Sequence, residues 1–243
     1  LSPTWSHCLS LRMAPLDVVP LDLHEDSARQ SVIELLISAF HEDPGYITWV
    51  LRLAAHVVPA VGGMALGALS EEALLGVALL LPPGVQLEDA GLGKLIGPEG
   101  PVGSPPFKPS KETQSKDLLA WARAARRRDR AFGRSVGEMH RAVASMPHWY
   151  LWFLGVHPDA QGQGVGAALL AEIQQIQDRD WVPCYLETSR WTNVQIYLKK
   201  NFKLERDFAV LAKDKQGRIL DRFDLDGGMH AMIRFPNSGA AKL

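Results

Sequence analysis

Cysteine is scarce in this 243-residue chain: Cys8 and Cys184 stand far apart and form no Cys-x-x-Cys pair. That pattern offers neither a disulfide framework nor a zinc site, so no metal is expected and a reducing compartment fits. An excess of charge is lacking too, since 26 Lys and Arg stand against 27 Asp and Glu and leave a net charge of -1. No global field draws the chain to nucleic acid or to a membrane surface, and any anionic ligand must be held locally. No apolar run approaches the roughly 20 residues that span a bilayer. The opening Leu1-Ser2-Pro3-Thr4-Trp5 also lacks a basic region followed by an apolar core. A cytoplasmic protein is expected. No internal repeat of about 20–50 residues is apparent.

What is present is an ordinary globular composition, with 47% hydrophobic and 22% charged residues. Met13 precedes the first usable strand, so residues 1–12 are expected to be a flexible extension and 13–243 one domain. Leu16–Leu23 alternates apolar and polar residues, and Pro20 confines it to an edge or a bulge. Asp26 or Ser27 is placed to cap a helix carrying Val32, Leu35, Leu36 and Phe40 on one face. Pro44 ends that helix and a second one begins near Tyr46. Residues 60–81 are apolar apart from Ser70-Glu71-Glu72, which predicts two buried strands joined by a turn. Residues 82–110 are rich in Gly and Pro and read as loop, with one short helix near Glu88–Ile96. Residues 112–146 read as helix, and their Arg126-Arg127-Arg128-Asp129-Arg130 run reads as a solvated face, with a phosphate or acidic-substrate contact as the alternative.

The chemistry is concentrated after that helix. Tyr150–Val156 is almost wholly apolar between Pro147 and Pro158, as a central strand buried on both faces would be. It leads into Gln161-Gly162-Gln163-Gly164-Val165-Gly166, after which Val165, Leu169, Ile173 and Ile176 recur at helical spacing. The first N–H groups of a helix have no intrahelical partners and carry partial positive charge, so this turn is suited to a pyrophosphate. A nucleotide P-loop would need Gly-x-x-x-x-Gly-Lys-Ser/Thr, which the chain lacks. A dinucleotide turn needs Gly-x-Gly-x-x-Gly, whereas the spacing here is Gly-x-Gly-x-Gly; with Ala167 in the last small position and Glu187 on a ribose, that alternative stays open.

Gln161-x-x-Gly164-x-Gly166, preceded by Leu154-Gly155-Val156-His157-Pro158, resembles the acyl-CoA motif of the GNAT superfamily of N-acetyltransferases. Asn193-Val194-Gln195-Ile196-Tyr197-Leu198-Lys199-Lys200-Asn201-Phe202 is similar to that family's later helix, with Asn201 where Gly is usual. Asn tolerates the left-handed conformation that ends a helix. Trp152–Asp159 together with Tyr185-Leu186-Glu187-Thr188-Ser189 and a long preceding insertion also resembles puromycin N-acetyltransferase-like members.

The resemblance implies an α/β fold of the α+β type, with a mixed, mostly antiparallel central sheet, flanking helices and a helical insertion at about 82–148. It implies acetyl transfer from acetyl-CoA to a primary amine by direct attack in a ternary complex. Backbone groups at Leu154 and Val156 would meet the pantetheine arm on a strand that splays from its neighbour. Gln161, Gly162, Gln163, Gly164, Val165, Gly166 and Ala167 would hold the pyrophosphate, Asn193 the pantetheine or adenine end, and Tyr197 would protonate the departing thiolate. Because the central strand offers no carboxylate, Glu187 at the end of the next strand is the first choice of general base and His157 the second. A helix-capping role for Glu187 competes with that assignment. Glu42 and Asp43 read first as helix-end surface charges, with attraction of a cation near the acceptor as the alternative. The expected acceptor is a small-molecule amine. A peptide acceptor, a non-catalytic acyl-CoA-binding module and a homodimer all stay open.

Overall fold

Met64–Ser70 (β2) and Ala73–Leu81 (β3) fold back on each other as the apolar run interrupted at Glu71-Glu72 predicts. Glu71 and Glu72 both have positive φ, 48° and 70°, the conformation that a two-residue hairpin turn twisting with its strands requires. The computed structural model describes residues 15–40, 46–85, 100–102, 116–213, 216–223 and 228–237. The extension at 1–12, the helix expected near Glu88–Ile96, and Glu42 and Asp43 lie outside these residues.

Asp17–Leu21 (β1) pairs antiparallel with β2 at the sheet edge, where Pro20 needs no partner for its missing N–H. The remaining strands are Trp149–Val156 (β4), Cys184–Thr188 (β5), Lys203–Phe208 (β6), Val210–Lys213 (β7), Ile219–Phe223 (β8) and Met229–Arg234 (β9). Seven of them form one sheet in the order β1-β2-β3-β4-β5-β9-β6, in which only β4 and β5 run parallel; β7 and β8 form a separate hairpin. The mixed, mostly antiparallel sheet is the expected one.

Two cores lie on opposite faces of this sheet. Asp26–Ala39 (α1) and Tyr46–Ala60 (α2) fill one with Leu35, Leu36, Leu51, Ala54 and Val58. Val165–Asp180 (α4) fills the other with Val165, Leu169, Leu170, Ile173 and Ile176. Burying each of these Leu, Ile and Val side chains contributes about 1.5–3 kcal/mol. On the α4 face, Arg234 is fully enclosed and donates to Gln177 (2.7 Å) and Asp178 (3.0 Å), tying β9 to that helix. The cap expected for α1 is not used: Glu25 is the N-cap residue and makes no side-chain cap bond, while Asp26 lies in the first turn paired with Arg29. There its negative charge still complements the helix dipole.

Lys116–Val143 (α3) connects β3 to β4 and is the helical insertion. Arg127 and Arg130 are exposed on it, as a solvated face requires. Its Ala131 packs with Val210, Ala212 and Met229, Ser135 Oγ accepts from Leu211 N–H (3.1 Å), and Glu138 pairs with Lys213 (3.2 Å). The β7–β8 hairpin thus clasps α3. No helix among the described residues is long and apolar enough to cross a membrane.

Candidate active site

β4 and β5 pair over Trp149–Cys184 and Tyr150–Tyr185 and no further. β4 then runs on to Val156 against β3, and β5 runs on to Thr188 against β9. A wedge opens between the carboxyl ends of the two parallel strands, where a sheet of this kind offers a crevice for ligands. The wedge explains a departure from expectation. Trp152, Phe153 and Leu154 are half-buried rather than buried on both faces, because one flank of β4 has lost its neighbour.

A bulge at Trp152 changes which face each side chain takes. Leu79 opposes Phe153 while Leu80 opposes Leu151, leaving Trp152 as the extra residue. Trp152 and Phe153 therefore both pack on the α1–α2 side, their rings 5.3 Å apart, while Leu154 and Val156 pack on the α4 side.

The glycine turn follows β4 at the mouth of the wedge. Gly162 and Gly164 have φ of 75° and 89°, a conformation that disfavours a side chain, and no atom would lie within 4 Å of a Cβ at either. Gly164 is the N-cap of α4, and Ala168 N–H is the first to reach its carbonyl (2.9 Å), so the N–H groups of Val165, Gly166 and Ala167 are the open helix terminus. Gln161 donates to Val156 O (3.3 Å) and Gln163 to Asp159 O (2.6 Å), which hold the turn against β4. The N-terminus of α4 lies hard on β3: a Cβ at Gly76 would stand 2.6 Å from Val165 Cγ1. Lys200 Nζ donates to Ala167 O (3.3 Å), placing a cation beside the same helix start.

On the α1–α2 face, Glu187 lies at the open end of β5 beside the phenols of Tyr150 and Tyr185. Burial pushes its carboxyl up to about 7, with the two phenols and its own backbone N–H pulling part of the way back. Both phenols favour the carboxylate electrostatically, yet Tyr185 OH and Glu187 Oε1 are each enclosed with no partner at hydrogen-bond geometry. An enclosed donor and acceptor without partners suit a polar ligand. Burial and the nearby carboxylate hold both phenols protonated.

Behind them lie two buried imidazoles. His148 Nδ1 meets Met146 O at 2.6 Å, and because a carbonyl can only accept, that nitrogen carries the proton. Its Nε2 then accepts from His140 Nε2–H, 2.5 Å away. Burial lowers both pKa values, that of His140 to about 4, so the pair is neutral at pH 7.

On the α4 face, Tyr197 projects from Trp191–Leu198 (α5) and packs edge-on to Phe202, 5.6 Å between centroids, in the core that contains Cys184. Its surroundings, chiefly by desolvation and then through Cys184, raise the phenol pKa and keep it a proton donor. Asn193, one turn earlier, donates to Thr188 Oγ1 (3.2 Å). Asn201 takes the left-handed conformation expected of it, φ 61°. His157 is not aimed into the wedge: its Nδ1 accepts from Asp159 N–H (3.3 Å) and caps the turn after β4. The fold thus places Leu154 and Val156 at the end of β4, Gln161–Ala167 in the turn and helix start after it, Glu187 near the end of β5, and Asn193 and Tyr197 on α5. Tyr150, Tyr185, His140, His148 and Lys200 had no role in the sequence reading. A histidine eight residues before another on an unrelated element gives no periodic signal.

Residues 118–204 match the family model described as an acetyltransferase (GNAT) domain. The fold matches the crystal structure described as "histone acetyltransferase HPA2 and related acetyltransferase" from Corynebacterium glutamicum, at 20% identity and a TM-score of 0.53, over 91% of this chain and 97% of that one. It also matches arylalkylamine N-acetyltransferase 2 from Aedes aegypti, at 13% identity and a TM-score of 0.54, over 91% and 99%. At these identities the likeness speaks for the fold, and the family match covers the strand, turn and helices that carry the site. The chain thus resembles the GNAT acetyltransferases, in sequence over residues 118–204 and in fold over the described residues.

Proposed function

We propose that this enzyme transfers an acetyl group from acetyl-CoA to the primary amine of a small molecule, by direct attack within a ternary complex. One observation carries the reading: β4 and β5 part beside an open helix terminus, with Glu187 on one face of the parting and Tyr197 on the other.

The groups present fit acetyl-CoA. The N–H groups of Gly162 to Ala167, with Lys200 nearby, suit a pyrophosphate. The unpaired flank of β4 at Leu154 and Val156 suits the amide-bearing pantetheine arm, with Asn193 along its path. The co-substrate supplies an activated thioester, and the chain supplies proton traffic. Glu187, with its pKa near 7, takes the proton of an incoming ammonium group; a base matched to working pH is most effective. Tyr197, held protonated, delivers a proton toward the thiol side.

The small acceptor is supported by the covering of the Glu187 face, where α3 packs His140 against Tyr185 and is itself clasped by the β7–β8 hairpin. An extended peptide would need that face open. The structural neighbours do not decide this, because their descriptions include both a histone and an arylalkylamine acetyltransferase. Release of free thiol from acetyl-CoA, measured with a panel of small primary amines and a panel of unstructured peptides, tests the reading. Thiol release with small amines supports it, release with peptides alone moves the acceptor class, and binding of CoA without release on either panel points to a non-catalytic module.

A further inference from the structure

Trp152 and Glu187 stand at one level on the two flanks of the wedge. Tyr150 and Tyr185 are the last pair of β4 with β5, and Trp152 and Glu187 each lie two residues beyond it. Side chains two apart on a strand share a face, so both follow the tyrosines onto the α1–α2 side. The bulge then turns Phe153 to that side as well. Phe153 meets Phe40 edge-on, 5.9 Å between centroids, and backs Trp152 at 5.3 Å. Trp152 itself is half-buried, on the flank that β5 has left.

Charge on this side is of one sign. Among the described residues Arg234 is the one enclosed Lys or Arg, and it lies on the α4 face, paired with Asp178 at 2.9 Å. The enclosed imidazoles behind Tyr185 are bonded to each other and to Met146 O. A carboxylate carried into the wedge on this face would therefore lie beside Glu187 without a counter-charge, and burying an unpaired charge is costly.

We infer that the acceptor is an amine on a flat aryl stem that carries no carboxylate, its amino group at Glu187 and its ring on the indole of Trp152. The assignment rests on Glu187 being the base of the proposed reaction, and it makes Trp152 a specificity-determining residue. An indole face attracts a flat ring and also an ammonium group beside it. A saturated stem fills similar space without that ring-to-ring attraction. Rejection of an amino acid comes from the uncompensated charge, so two different features set the two preferences.

The test measures binding to the full-length protein loaded with CoA, by calorimetry, for phenethylamine, its saturated analogue cyclohexylethylamine, and phenylalanine, which adds a carboxylate to the first. Phenethylamine is expected to bind about 2–10-fold more tightly than the saturated amine. It is expected to bind roughly 10²-fold or more tightly than phenylalanine. Trp152→Leu is expected to abolish the aryl preference while leaving the discrimination against phenylalanine and the affinity for CoA in place; Trp152→Phe is expected to keep most of that preference. The thermal midpoint of each variant confirms that it folds. In the acetyl-transfer assay Trp152→Leu is expected to raise KM for the aryl amine and keep kcat. Because CoA carries no acetyl group, affinity is read without turnover, and an aryl amine that binds with these preferences yet is not acetylated counts against the proposed function alone. No saturable binding of phenethylamine, phenylalanine binding as tightly, or an aryl preference that survives Trp152→Leu overturns the assignment.

Discussion

Glu187 and Tyr197 stand on opposite faces of the central sheet, Glu187 beside Tyr150 and Tyr185, Tyr197 against Phe202 in the core that holds Cys184. Between them β4 leaves β5 after two residue pairs. In the proposed reaction each handles one proton, and each is tuned by its own surroundings: burial raises both pKa values, which suits the carboxyl to act as a base near neutrality and the phenol as a donor.

The raised pKa of Glu187 has a stability consequence. Its folded pKa, about 7, exceeds its ordinary value of 4.5, so between those limits the folded state binds more protons than the unfolded one. Stability from this group is fully present below about 4.5 and is lost as pH rises through 7. Glu187→Gln should therefore raise the thermal midpoint at pH 8 and have little effect at pH 4.5. Thermal unfolding of both proteins across that range checks it.

The imidazole pair has the opposite sign. Folding lowers the pKa of both His140 and His148 from 6.5, so the stability they contribute is present above 6.5 and is lost as pH falls toward 4. Replacing both residues with neutral amides should flatten the acid side of the stability curve between those values. Urea unfolding at pH 7 and pH 5 measures the difference.

Gly164→Ala forces a side chain into a backbone conformation at φ 89°. It should cost about 1–2 kcal/mol and weaken CoA binding, since the turn amides shift with it. Gly166→Ala makes a useful contrast: its Cβ would meet only Val156 and Leu154 side chains, at 3.6 and 3.8 Å. Those are ordinary contacts, so the thermal midpoint should barely move. Denaturation and calorimetric CoA titration of both variants separate the two cases.

Gly76→Ala acts at a distance from the turn. Its Cβ would press on Val165 Cγ1 at the first residue of α4, and overpacking of this kind costs typically about 1–3 kcal/mol. CoA affinity should fall although residue 76 touches no proposed ligand. Unchanged affinity would mean that the position of the α4 terminus does not govern binding.

The strand, turn and helix around Gly162 and Gly164 were legible because their signals are local: an apolar run, glycines where φ is positive, and a 3.6-residue stripe. So was the hairpin at Glu71-Glu72. The cap of α1 was misread because Asp26, a good capping residue by type, is paired with Arg29 one residue inside the helix. His140 and His148 were illegible for another reason. They come from the end of the insertion helix and the approach to β4, and they meet only because α3 folds back over β5, where His140 finds Tyr185. No spacing in the sequence encodes that meeting. Glu187 is proposed as the base by elimination along the strands, whereas its phenol neighbours depend on the two-pair register of β4 with β5.

The account is tested most directly by steady-state acetyl transfer with Glu187→Gln and Tyr197→Phe, measured across pH, with CoA dissociation constants taken on the same preparations. Both variants should keep wild-type CoA affinity and lose turnover, by about 10²–10⁴-fold for a general acid or base. Only Glu187→Gln should also abolish the limb near pH 7. Wild-type turnover in either variant, or CoA affinity that falls in step with turnover, would contradict it.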